Sequence, residues 1–122
     1  MISGIGVDIV DLPRIRGVLE RHGPRFLDRV LTAGEQAYCQ RHRDPAPHVA
    51  VRFAAKEAVL KALGTGWSGG IRWTDVEVVR GESGPPRIEL HGVAAEVAAG
   101  ARVHVSLTHD RGAAVAVAVL ER

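Results

Sequence analysis

Arg52-Phe53-Ala54-Ala55-Lys56-Glu57-Ala58-Val59-Leu60-Lys61-Ala62-Leu63-Gly64-Thr65-Gly66 carries four charged residues and no broad polar face. At ~100° per residue it reads as a helix on which Val59, Arg52, Leu63, Lys56, Val49, Leu60 and Phe53 share one arc. Arg52 and Lys56 are therefore threaded between apolar neighbours. Glu57 and Lys61 lie off that arc, one turn apart, and the remaining side is mostly alanine. A solvated helix gathers its charges opposite its apolar stripe. This one does not, which predicts that some of its charges face a ligand. The plainer alternative is scaffolding: Lys and Arg can bury their stems and reach water, and Glu57 with Lys61 makes a favourable i,i+4 pair. Gly64-Thr65-Gly66 then ends the helix and offers a bare backbone suited to a close-fitting phosphate.

Outward from this helix toward the N-terminus, Ile2 to Val10 alternates as a strand, with Ile5, Val7 and Ile9 on one side and Gly4, Gly6, Asp8 and Val10 on the other. Two positions without side chains ahead of a carboxylate leave room for something to lie against the strand and reach Asp8. A helix-capping aspartate at the strand end is the alternative. Pro13 suits a first helical turn, Ile15, Val18 and Leu19 form a short apolar stripe, and Gly23-Pro24 breaks the chain. Thr32-Ala33-Gly34-Glu35 has capping-box spacing for a helix through Cys39, and Asp44-Pro45-Ala46-Pro47 turns into the central helix.

Beyond Gly64 the pattern becomes strand-like. Trp73 to Val79 and Arg87 to Leu90 alternate as half-buried strands joined by the turn-rich Gly81 to Pro86. Val93 to Ala99 is an alanine-rich helix ended by Gly100. Val103 to Thr108 and Ala113 to Leu120 are two more strands, the last apolar throughout and so expected to be central and covered on both faces. The fold class is α+β: helices early, a mainly antiparallel sheet later, in one domain over residues 1–122.

With 122 residues and ordinary apolar content, the chain can build a core, though assembly would help it. No apolar run is long enough to span a bilayer and no leader pattern opens the chain, so the expectation is no membrane and no secretion. The single cysteine, Cys39, cannot pair internally, which fits a cytoplasmic location. Net charge is only +2, yet Arg14, Arg16, Arg21, Arg25, Arg29, Arg41 and Arg43 face only Glu20, Asp28 and Glu35 in their stretch. Such a segment calls for an acidic partner. Aromatic residues are too few for the stacking platforms of a single-strand binder. The only lysines are Lys56 and Lys61, in a chain that otherwise uses arginine, which hints that both sites need a compact ammonium. Asp8 and Glu57 are hard oxygen donors of the kind and number that suit Mg²⁺ with substrate phosphates completing its shell. There is no zinc-spaced cluster, Walker A loop or dinucleotide fingerprint. From the residues alone, the reading is Mg²⁺-dependent handling of a phosphoanhydride.

Ile5-Gly6-Val7-Asp8-Ile9-Val10-Asp11, Arg25-Phe26-Leu27 with Leu31-Thr32 and Glu35, Arg52 to Ala58 with Lys61 to Gly66, and His104-Val105-Ser106-Leu107-Thr108-His109 together resemble the holo-acyl-carrier-protein synthases. These are the short, single-domain 4′-phosphopantetheinyl transferases, and the likeness runs in order along nearly the whole chain. Asp11, where the family more often has glutamate, and Gly34 depart from the pattern. The resemblance implies a 4′-phosphopantetheinyl transferase-like fold that trimerises, with each active site at a subunit boundary. It implies attack of a carrier-protein serine on the β-phosphorus of coenzyme A, transfer of the phosphopantetheine arm, and release of adenosine 3′,5′-bisphosphate, in fatty acid or polyketide synthesis. Asp8 and Glu57 match the Mg²⁺ ligands, and Lys61 would pair with the phosphates. Arg52, Gly64, Thr65, Gly66, Pro86, Ser106 and His109 match positions near the nucleotide part of coenzyme A. Arg14, Val18, Arg21, Arg25 and Phe26 resemble the face that docks an acidic acyl carrier protein. The serine proton has two candidate acceptors, a water on the metal or Glu57. A catalytically silent coenzyme A binder and a small basic nucleic-acid binder are the rival readings.

Overall fold

From Ser3 onward, residues alternate outward and inward along strand β1 (Ile2–Asp11) before the chain turns into α1 (Leu12–Val30). Then come α2 (Ala33–Gln40), α3 (Ala46–Leu63), a 3₁₀ turn (Trp73–Asp75), β2 (Val76–Val79), β3 (Arg87–Leu90), α4 (Gly92–Ala98), β4 (Arg102–Asp110) and β5 (Ala113–Glu121). The structure is a computed structural model and describes residues 1–122.

The strands form two separate antiparallel sheets. One has the order β1-β5-β4, with the last strand of the chain at its centre, and the other is the β2-β3 ribbon. β4 and β5 are joined through Arg111 and Gly112, both with positive φ, a two-residue turn whose twist suits a hairpin. The helix signals hold locally. Thr32 and Glu35 form a reciprocal capping box at α2, with bonds of 3.1 and 2.9 Å. α1 is broken at Gly23 ahead of Pro24, and Gly64 takes the left-handed conformation that ends α3.

α3 is the centre of the molecule. Its Ala50, Ala54, Ala55 and Ala58 are fully buried, as are Ala116 and Ala118 on the inner face of β5. Small residues on both elements let helix and sheet approach closely. At β1 the approach is backbone to backbone: a Cβ on Gly4 would lie 2.0 Å from the Ala62 carbonyl oxygen, and one on Gly6 1.8 Å from that of Ala58. The space beside Gly4 and Gly6 that suggested a ligand is thus filled by α3. The alanine side of the helix and the glycine side of the strand are two halves of one contact.

Two further expectations change. Trp73 to Asp75 form a 3₁₀ turn instead of starting the strand, because Asp75 accepts from the Arg72 amide at 3.1 Å and its carbonyl takes the His91 amide at 2.8 Å. β5 is central, but within the chain it is covered on one face only. On the other face Val115, Val117 and Val119 lie opposite Ile9, Val7 and Ile5 of β1, and those three β1 residues are 69, 55 and 64 % exposed.

Candidate active site

The buried charges of α3 divide by role. Lys56 is fully enclosed, and its ammonium donates to Glu35 Oε1 at 2.8 Å, to the Trp73 carbonyl at 3.0 Å and to the Val76 carbonyl. Glu35, equally buried, accepts the Val78 amide at 2.9 Å through its other oxygen. Burial pulls the Lys56 ammonium below its ordinary value, with the charge of Glu35 opposing the shift. This lysine therefore faces no ligand. It ties α2, α3 and the 3₁₀ turn together, and it needs a compact ammonium because three acceptors converge on one point.

Lys61 lies one turn beyond Glu57 but does not pair with it. Its ammonium reaches across to β1, donating to the Val7 carbonyl at 2.9 Å and to Asp8 Oδ1 at 3.2 Å. Asp8 accordingly caps no helix. Glu57 instead accepts from the Trp67 indole at 3.4 Å through Oε1. The close seating of Gly6 on Ala58 is what brings the first strand beside this end of α3. Each carboxylate makes its side-chain contact through a single oxygen, leaving Asp8 Oδ2 and Glu57 Oε2 uncommitted. Asp8, paired with Lys61, and Glu57, on the same helix as that lysine, are half-buried carboxylates of the kind that suit a hard divalent cation with open positions for phosphate oxygens. The Gly64-Thr65-Gly66 turn follows directly at the end of the same helix.

Arg52 belongs to a second group. It is nine residues before Lys61, about 13 Å away along a helix that rises 1.5 Å per residue. It is 3 % exposed, its guanidinium lies 4.2 Å over the Tyr38 ring, and it donates to the His48 carbonyl at 3.2 Å. Its Nε is buried without a partner. Arg52, Pro86 and His109 line a cavity of about 270 Å³ with Tyr38, His48, Val51, Arg80, Leu107 and Thr108. The cavity is lined by two arginines and no acid, a charge balance that suits an anion. Ser106 stands apart, exposed on the open face of the sheet opposite Val117.

Along α1, Arg14, Arg21 and Arg25 are exposed, and Val18 is half-buried. Phe26 stacks on Phe53 at 6.1 Å, and with His22, Arg25 and Arg29 it lines a shallow cavity of about 280 Å³. Arg16 is spent elsewhere, clamped on Asp44 at 3.0 and 2.6 Å. Glu77, Glu89 and His91 also converge on the β2-β3 ribbon. They are already engaged, Glu77 with His91 and Thr32, Glu89 with Arg87, so they form a hydrogen-bonded cluster.

Sequence reasoning missed Tyr38, His48 and Arg80 in the anion cavity and Trp67 beside Glu57. These residues come from different elements and share no spacing. The only available hint was local: Tyr38, His42 and His48 are aromatic rings flanking a Pro-containing turn.

Asp8 and Lys61 thus meet where the first strand packs on α3, and a cavity lined by two arginines lies toward the other end of that helix. The sequence model of the 4′-phosphopantetheinyl transferase superfamily matches residues 4–118, and the chain belongs to that family of enzymes. Within it, the chain is 48% identical over 124 residues to the holo-[acyl-carrier-protein] synthase of Koribacter versatilis, covering 99% of each. The holo-[acyl-carrier-protein] synthase of Neisseria meningitidis superposes with a TM-score of 0.88 at 34% identity, over the whole of both chains. That of Bacillus anthracis, solved in complex with CoA (3′,5′-ADP), gives 0.84 at 36% identity, covering 99% of this chain and 97% of that one.

Proposed function

We propose that this chain transfers the 4′-phosphopantetheine arm of coenzyme A to a serine hydroxyl of an acidic acyl carrier protein, with Mg²⁺, releasing adenosine 3′,5′-bisphosphate. The observation that carries the reading is the meeting of Asp8 with Lys61 on the helix that also presents Glu57, in a chain whose relatives over nearly full length are named holo-[acyl-carrier-protein] synthases. Asp8 and Glu57 would hold the cation, whose charge would offset that of the diphosphate oxygens while the serine oxygen bonds to the β-phosphorus and the anhydride bond to adenosine 3′,5′-bisphosphate breaks. Lys61, already hydrogen-bonded to Asp8 and exposed, orients that carboxylate and supplies a second cation to the phosphates. In the Gly64-Thr65-Gly66 turn the Gly64 amide closes the helix on the Leu60 and Lys61 carbonyls, so Thr65 and Gly66 would offer the backbone amides to the phosphates. Arg52, Pro86 and His109 would take the nucleotide end, where the Arg52 and Arg80 guanidinium groups would meet a phosphate. Arg14, Val18, Arg21, Arg25 and Phe26 would dock the carrier protein, by an attraction that weakens with salt.

The two groups of site residues lie toward opposite ends of α3, and Ser106 lies on the open sheet face. One ligand could use all three if copies of the chain meet through that face, so that one copy supplies the carboxylates and its neighbour the rest. A homotrimer with active sites at its boundaries, which the family resemblance implies, would provide such sharing. No helix is long and apolar enough to cross a membrane, and cytoplasmic work in fatty acid or polyketide synthesis fits the reading.

The test is incubation with apo-carrier protein, coenzyme A and Mg²⁺, followed by mass spectrometry of the carrier protein. The expected result is addition of one phosphopantetheine on serine, abolished by chelation and by Glu57→Gln while the fold persists. Coenzyme A binding without transfer, or nucleic-acid binding without transfer, would favour a silent binder or a nucleic-acid protein instead.

A further inference from the structure

His48 stands in the first turn of α3, on the wall of the anion cavity. Its ring is stacked on His42 with centroids 3.6 Å apart, and it meets the ring edges of His109 and Tyr38 at 6.0 Å each. The groups that face it come from every neighbouring element. Tyr38 comes from α2 and His42 from the turn after it, Asp44 from the loop before α3, Arg52 from one turn along α3, Arg80 from beyond β2, and His109 from the end of β4. Asp44, the only acid among them, is held by Arg16 through both carboxylate oxygens. His48 is thus surrounded by cations and by groups that can become cations. Desolvation pushes its imidazole down to about 4, and the charges of His42, Arg52, His109 and Arg80 push the same way.

We propose that His48 is a phosphate-binding residue of this cavity and takes up a proton as the phosphate enters, which makes nucleotide binding proton-linked. The inference rests on the reading that the cavity receives the nucleotide end of coenzyme A. An anion inside the box reverses the charge balance around the ring. An opposite charge within a few ångströms favours the protonated form, and N⁺–H···O⁻ contacts are roughly twice as strong as neutral ones. The proton comes from solvent and goes to the free ring nitrogen of His48, and no bond of the ligand changes. Between the free and bound values of the imidazole, the complex holds more protons than the free protein. Affinity must therefore rise as pH falls through that window, by at most about tenfold per pH unit for one proton.

Isothermal titration calorimetry of the full-length protein, in pairs of buffers with different ionisation heats, counts the protons exchanged. Wild type and His48→Gln would each be titrated with coenzyme A and with dephospho-coenzyme A, circular dichroism confirming the variant's fold. A phosphate monoester itself titrates near pH 6, so the difference between wild type and variant is the quantity read. The expected result near pH 6 is greater proton uptake by wild type and binding on the order of tenfold weaker in His48→Gln, the two converging near pH 8. A difference seen only with coenzyme A places the terminal phosphomonoester against His48. One that persists with dephospho-coenzyme A places the diphosphate there. Equal proton counts in wild type and variant with both ligands would overturn the proposal while leaving the cavity's assignment intact. Failure of wild type to bind coenzyme A would overturn the assignment, and this proposal with it.

Discussion

Lys56 and Lys61 lie five residues apart on one helix and do opposite work. Lys56 is fully buried among acceptors from other elements, whereas Lys61 is exposed and its ammonium reaches the strand beside the helix. A buried ion pair contributes little against an apolar replacement of both partners, but losing one partner strands the other. Lys56→Met leaves Glu35 enclosed without its cation, so it should destabilise the fold by about 3–5 kcal/mol, read from urea unfolding. Adding Glu35→Gln should recover part of that loss, and a strictly additive double variant would show that the two groups do not interact. The charge-among-apolar pattern was legible in the sequence, but its meaning was not. Lys56 and Arg52 share an arc, and only their surroundings tell the structural residue from the one lining a cavity.

The contact between β1 and α3 sets the geometry of the carboxylate site. Gly4 and Gly6 are required there by close approach, since a methyl group at either would penetrate a helix carbonyl. Gly6→Ala should therefore push α3 off the strand and cost about 3 kcal/mol, at the upper end for overpacking. Its Asp8-Lys61 contact should loosen, so transfer activity should fall further than the loss of folded protein explains. A variant of wild-type stability in thermal unfolding would show that the helix can move aside freely. The sequence showed that these glycines answer to something close by. It did not show that the something was the chain's own helix, because alternation reports which side of a strand is bare and not what covers it.

Assembled, the molecule has one feature the isolated chain does not satisfy. Ile5, Val7 and Ile9 line up with Val119, Val117 and Val115 on an open apolar sheet face, the kind of patch that marks an interaction surface. Ile5→Glu lies on this face, away from the carboxylates, and should keep the fold while preventing association. Multi-angle light scattering should report a trimer for the wild type and a monomer for the variant, with transfer activity lost alongside assembly. A trimeric, active Ile5→Glu would remove both the interface and the shared site.

The strands, the helices, their caps and the α+β class were readable because each depends on neighbours a few residues away: a capping box, a proline, a two- or 3.6-residue period. Glu57 and Lys61 were readable because they share one short continuous motif, and Asp8 because it follows two glycines on one strand face, but that Asp8 meets Lys61 was decided by packing. The covering of Gly4 and Gly6, the enclosure of Lys56 and the cage of rings and arginines around His48 arise from segments tens of residues apart. No periodicity encodes which distant side chains meet, so those features followed from packing.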